Sequence, residues 1–152
     1  MSVLGAVVDG ILAMVSQRPF MTAAQIKELV RRHNERAVEK RYGGAEEGTQ
    51  AVPSDDLRAM RIFVTDQQQT WLVVVSRMAY CVLDDRRREE PQIQWWTNLE
   101  SVLDVRSDES WSTEAGVLHF GCRSKGWLYS KELFPNEPPD VAISHFLAGN
   151  DG

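Results

Sequence analysis

The chain has 152 residues, with 17 Lys plus Arg against 22 Asp plus Glu and a net charge of -5. That length suits one ordinary domain able to bury its own core without staples. The acidic balance offers no general attraction to phosphate backbones or anionic membranes, and RNP, zinc-finger and helix-turn-helix signatures are missing, so nucleic acid is not expected as a partner.

The first segment, "SVLGAVVDGILAMV", is shorter than the roughly 20 apolar residues a spanning helix needs, and Asp9 sits in its middle. Met-Ser before it and Ser16-Gln17-Arg18 after it do not suit a secretory signal, so a cytoplasmic protein is expected. Leu4, Val8, Ile11, Leu12 and Val15 recur at helical spacing, with Ser2, Asp9 and Ser16 on a thin polar stripe. A helix apolar around most of its girth needs cover on more than one side, from this chain or from a second molecule.

"MTAAQIKELVRRHNERAVEKRYGG" opens on a capping box, Thr22 with Gln25, and stops at Gly43. Ile26, Leu29, Val30, His33 and Ala37 share one face of this second helix, while Arg31, Arg32 and Arg36 interleave with Glu28, Glu35 and Glu39 on an exposed one. Residues 1–42 thus read as a helical hairpin. Residues 43–57, beginning "GGAEEGTQAVPSDD", have no apolar periodicity and read as a linker.

Beyond the linker, β-branched and aromatic residues gather in short runs at 61–66, 70–76, 79–84, 92–97, 102–107, 116–122 and 127–132, the spacing of an antiparallel meander. In "TWLVVV" both alternating sets are apolar, Trp71, Val73 and Val75 on one face and Leu72 with Val74 on the other. That strand should be covered twice, once by the sheet's own core and once by the hairpin.

In "PQIQWWTNLESV", strict alternation sends Ile93 and Trp95 into the core and leaves Trp96 on the other face with Gln92 and Gln94. Around "CRSKGWLYSK", a two-residue turn would align Phe120 and Cys122 with Tyr129 and Trp127; a three-residue loop would align them with Ser130 and Leu128 instead. The first gathers the large apolar groups on one side. The chain closes on a short amphipathic helix, with Pro139 at its first position, Ile143, Phe146 and Leu147 as its stripe, and Gly149 just past its end.

Seven meandering strands followed by an amphipathic helix is the element order of a pleckstrin-homology-like barrel, and "TWLVVVSRMAYCVLDD" resembles the strand-turn-strand of GRAM and bacterial pleckstrin-homology-like domains. The resemblance covers residues 58–148. It implies an α+β fold in which an N-terminal helical hairpin packs on a seven-stranded antiparallel barrel closed by the C-terminal helix. It also implies a scaffold that binds lipids, peptides or partner domains and seldom catalyses. The phosphoinositide binders of the family place Lys and Arg in and beside the first strand-to-strand loop; here that loop is "TDQQQT", acidic and neutral.

Candidate chemistry is sparse. His33, His119 and His145 lie on separate elements without metal-ligand spacing, and read as structural histidines. Cys81 and Cys122 sit in apolar runs without CxxC spacing and read as small buried hydrophobes, with a strand-to-strand disulfide as the alternative. The acidic pairs Glu46-Glu47, Asp55-Asp56, Asp84-Asp85 and Glu89-Glu90 read as solvated loops, and GxSxG, P-loop and GxGxxG patterns are missing. No catalytic residue, metal or cofactor is expected.

Two surfaces stand out. Arg86, Arg87 and Arg88 in "DDRRREEP" could bind an anion, although four flanking acids favour a self-neutralising loop. Five tryptophans exceed what one core requires, and tryptophan concentrates binding energy at interfaces. The expected function is a non-enzymatic, intracellular protein-interaction module of adaptor, regulatory or signalling type. Its partner surface is assigned to Trp96, Gln94, Leu4, Val8 and Ile11, for an unidentified protein or a second copy. The alternative is a membrane-associated phospholipid-binding module using Arg86 to Arg88.

Overall fold

A computed structural model describes residues 17–42, 57–107, 115–120 and 127–149. Helix α1 spans Ala23–Tyr42. Strands β1 (Leu57–Val64), β2 (Gln68–Val75), β3 (Met78–Asp85) and β4 (Gln92–Asn98) form one antiparallel sheet in sequence order. Strands β5 (Val105–Ser107), β6 (Ala115–Phe120) and β7 (Trp127–Ser130) form a second, and helix α2 (Pro139–Ala148) follows.

The start of α1 is built as its sequence predicts. The Thr22 backbone N–H donates to Gln25 Oε1 at 2.8 Å, and the Gln25 N–H donates back to Thr22 Oγ1 at 3.2 Å, so two otherwise orphaned donors are satisfied. On α2, Pro139 occupies the first turn and Gly149 ends the helix in the left-handed region at φ 82°, its N–H bonding to the His145 and Phe146 carbonyls. The Arg58 guanidinium also donates to the Phe146 carbonyl and lies 5.2 Å from that ring's centre, placing a cation at the negative end of α2.

Both faces of the four-stranded sheet are covered. Leu72 and Val74 join Ile62, Cys81, Leu118, Phe120 and Ile143 in a core between the two sheets and α2. Val73 and Val75 join Tyr80, Val82, Ile26 and Val30 in a second core beneath α1. The split of "TWLVVV" into two apolar sets thus corresponds to two different covers.

The seven strands do not form one closed barrel, and that expectation is corrected: among the described residues the sheets have four and three strands, and no ladder joins them. Local chemistry explains both breaks. A 3-10 turn at Leu99–Val102 interrupts the chain after β4, and among the described residues β5 pairs with β6 alone. Where β1 approaches β7, Ser130 Oγ accepts from the Val64 N–H at 2.9 Å and donates to the Val64 carbonyl at 3.2 Å, so a side chain occupies the groups a closing strand would use. The helical hairpin is likewise not the observed cover. Among the described residues one helix, α1, lies on the sheet; the predicted first helix, with Leu4, Val8 and Ile11, lies outside them.

The second sheet has its own register. Leu118 pairs with Trp127 and Gly116 with Tyr129, four residues away from the alignment expected for a two-residue turn. A shift by an even number keeps each side chain on its face, so Leu118, Phe120 and Tyr129 still meet in one core. The turn itself, with Cys122, lies outside the described residues. Gly116 is required for this pairing, because a Cβ there would stand 2.1 Å from the Tyr129 hydroxyl oxygen.

Candidate interaction surface

The tryptophan pair is placed by a β-bulge. In the β3–β4 ladder Val82 pairs with Ile93, Cys81 with Trp95 and Tyr80 with Trp96, so Gln94 is the extra residue. Trp95 faces the inter-sheet core, where its ring lies 5.9 Å from Phe120 and 5.4 Å from Trp127. Ile93, expected beside it, packs instead in the core beneath α1. Alternation cannot foresee this, because the bulge reverses the facing of everything before it in the strand.

Trp96 therefore stands on the helix side. Its ring is 4.6 Å from His33 on α1 in an edge arrangement and 6.2 Å from Tyr80 on β3, roughly parallel to it. His33 Nδ1 is 3.2 Å from the Tyr80 hydroxyl, which ties the helix to the sheet at this point. Burial and the nearby Arg36 cation lower the His33 pKa, and burial pushes the Tyr80 hydroxyl up to about 12. Both are held neutral at ordinary pH. Trp96 remains 47 % exposed, a large apolar ring fixed against two aromatic neighbours on the outermost strand of its sheet.

Gln94, grouped with Trp96 by sequence, is on the other side: its Oε1 accepts from Cys81 Sγ at 3.6 Å, and Cys81 belongs to the inter-sheet core. Leu4, Val8 and Ile11 lie outside the described residues.

Arg86, Arg87 and Arg88 are not assembled around a common anion site. Arg86 Nε donates to the Arg18 carbonyl at 2.7 Å and Nη1 to the Asp66 carbonyl at 2.9 Å, while its guanidinium lies 5.3 Å from the Phe20 ring centre. Arg87 makes two bonds to the Asp85 carboxylate, at 2.9 and 2.7 Å, and the pairing holds that carboxyl well below the usual range. Arg88 borders an open hollow with Glu89, Glu90, Pro91 and Gln92. Two of the three guanidinium groups are thus engaged within the chain.

Of the acids beside them Glu89 and Glu90 are exposed, as expected, but Asp84 and Asp85 are buried. Asp84 is fully buried, and its carboxylate accepts from Arg18 Nη2 at 2.5 Å, the Met21 N–H at 2.8 Å and Gln69 Nε2 at 2.9 Å. Gln69, 1 % exposed, also donates to the Met21 carbonyl at 2.9 Å. This latch fixes the segment entering α1 against the end of the sheet. A signal for it was present: Asp84 continues the alternation of Tyr80 and Val82, which points it under the helix.

His145 on α2 lies 3.9 Å from Glu137, and His119 on β6 is half-buried opposite Arg106. Among the described residues no group of three or more His, Cys, Asp or Glu could hold a metal ion, and no helix is long and apolar enough to cross a membrane. No protein family, curated protein or solved structure matches this chain.

Proposed function

We propose that this chain is a non-catalytic protein-interaction module of the cytoplasm, adaptor or regulatory in kind, with Trp96 at the centre of its contact surface. The observation that carries the reading is a 47 % exposed indole seated on His33 and Tyr80. An immobilised tryptophan loses little conformational freedom on binding, and truncating such an anchor typically costs about 2 kcal/mol or more of affinity. The element order, strands followed by one amphipathic helix, keeps the likeness to pleckstrin-homology-like binding modules as part of this proposal, without the barrel.

The test compares affinity purification on the intact chain with purification on Trp96→Ala, followed by mass spectrometry. A set of proteins held by the wild type and lost by the variant, at a melting temperature changed by only a few degrees, supports the reading. Identical sets overturn it. The phospholipid alternative has less support, because Arg86 and Arg87 already bond within the chain. Flotation with anionic vesicles at physiological salt would restore that alternative in its place.

A further inference from the structure

The surface around Trp96 has a polarity of its own. At 100° per residue along α1, Ile26, Val30 and Ala37 point at the sheet, while Leu29, His33 and Arg36 turn towards the flank where Trp96 stands. The flank where His33 of α1 meets Trp96 of β4 therefore carries Leu29, Ile93 and Trp96 as apolar groups and Arg36 as a cation on the helix. Arg36 is exposed, and among the described residues no carboxylate pairs with it. Arg32, another cation of the helix, is engaged by Glu28 at 3.1 Å.

Strand β4, whose seven residues are QIQWWTN, carries no charge. It is the outermost strand of its sheet, and among the described residues no strand pairs with its far edge. Glu89 and Glu90 precede it at the Ile93 end, so the positive character belongs to the Trp96 end alone. In a chain of net charge -5, an exposed arginine on the helix flank that faces a half-exposed tryptophan stands out.

Resting on the module reading above, we infer that the partner is an extended acidic-apolar peptide segment that adds to the outer edge of β4. It lays a large apolar side chain on Trp96 and directs a neighbouring carboxylate to Arg36. Strand addition supplies backbone hydrogen bonds that are indifferent to sequence, and alternate side chains on the helix side supply the selectivity. The Arg36–carboxylate contact steers encounter and rejects basic segments.

The test is selection of random twelve-residue peptides displayed on phage, run in parallel on the intact wild-type chain, Trp96→Ala and Arg36→Glu. Enriched peptides are then titrated by calorimetry. The wild type is expected to enrich Asp or Glu within two positions of Leu, Ile, Phe or Trp. Those peptides should bind Trp96→Ala at least about tenfold more weakly, the factor set by 1.4 kcal/mol. Arg36→Glu changes an exposed side chain and keeps the fold, so it carries the result even if Trp96→Ala is destabilised. It should weaken the same peptides by about tenfold and enrich Lys or Arg instead. Peptides that need Trp96 but are indifferent to Arg36→Glu overturn the inferred partner chemistry and leave the module reading standing. Failure to enrich any Trp96-dependent peptide overturns the inference outright, and the affinity-purification comparison then judges the module reading separately.

Discussion

The two faces of the four-stranded sheet are built from the same strands but closed by different physics. On one face Trp95, Phe120 and Trp127 pack mutually at 5.4 to 5.9 Å, and Leu72, Val74 and Ile143 fill the space around them. Volume holds this face together. On the other, α1 contributes few fully buried apolar side chains, Ile26 and Val30, and its position is fixed by polar bonds at Asp84 and at His33. The comparison teaches that the helix is located rather than simply adsorbed, and that its polar fastenings leave the Trp96 flank open.

The sharpest way to break the comparison is to damage one face and ask whether the other notices. Phe120→Ala removes a fully buried ring from the inter-sheet core and should cost about 3–5 kcal/mol, lowering the midpoint of urea unfolding for the whole domain. Asp84→Ala should cost about 3 kcal/mol by stranding Gln69 and the Met21 N–H without their acceptor. Its signature differs from that of Phe120→Ala. Hydrogen exchange should accelerate in α1 ahead of β2 and β3, and uniform acceleration would show that the two faces unfold as one.

Thr22→Ala removes the cap that starts α1 and should cost about 1 kcal/mol, again read as faster exchange in the first turn of the helix. The smallest effect is a pH dependence at the helix seam. Because the folded-state pKa of His33 lies below its ordinary value, the unfolded chain takes up a proton first as pH falls. The His33 contribution to stability is therefore complete above about pH 6.5 and is lost as pH drops below that value towards the depressed one. His33→Gln should flatten this part of the melting temperature–pH curve; an unchanged slope would place the titration elsewhere.

Much of the local structure was legible because its signals are local. Thr22 and Gln25, Pro139 and Gly149, and the two apolar sets of "TWLVVV" each state their role within a few residues. What the sequence hid depends on partners far along the chain. Arg18 and Asp84 are separated by 66 residues, so Asp84 looks solvated until the fold brings the N-terminal segment across it. Alternation placed Trp95 and Trp96 on opposite faces correctly, yet grouped Gln94 and Ile93 with the wrong indoles, since a bulge is visible only against the strand it pairs with. The second hairpin had the right facing and a register four residues off, because parity is set by apolar pattern while alignment depends on a connection of unknown length. One of the two breaks in the barrel lies at the hydroxyl of Ser130, which nothing in its neighbourhood distinguishes from any other strand-end serine.

The supernumerary glutamine in β4 has a consequence for the chain's tolerance of change. Excising Gln94 would leave Ile93, Trp95 and Trp96 opposite the same β3 residues they meet now, so both indoles would keep their sides and only the kink would straighten. Excising Thr97 would spare them too, whereas adding one residue between Trp95 and Trp96 would send either ring to the wrong side. The strand thus absorbs a residue lost at Gln94 but not one gained between the two indoles, an asymmetry that a scan of single-residue deletions and insertions would reveal.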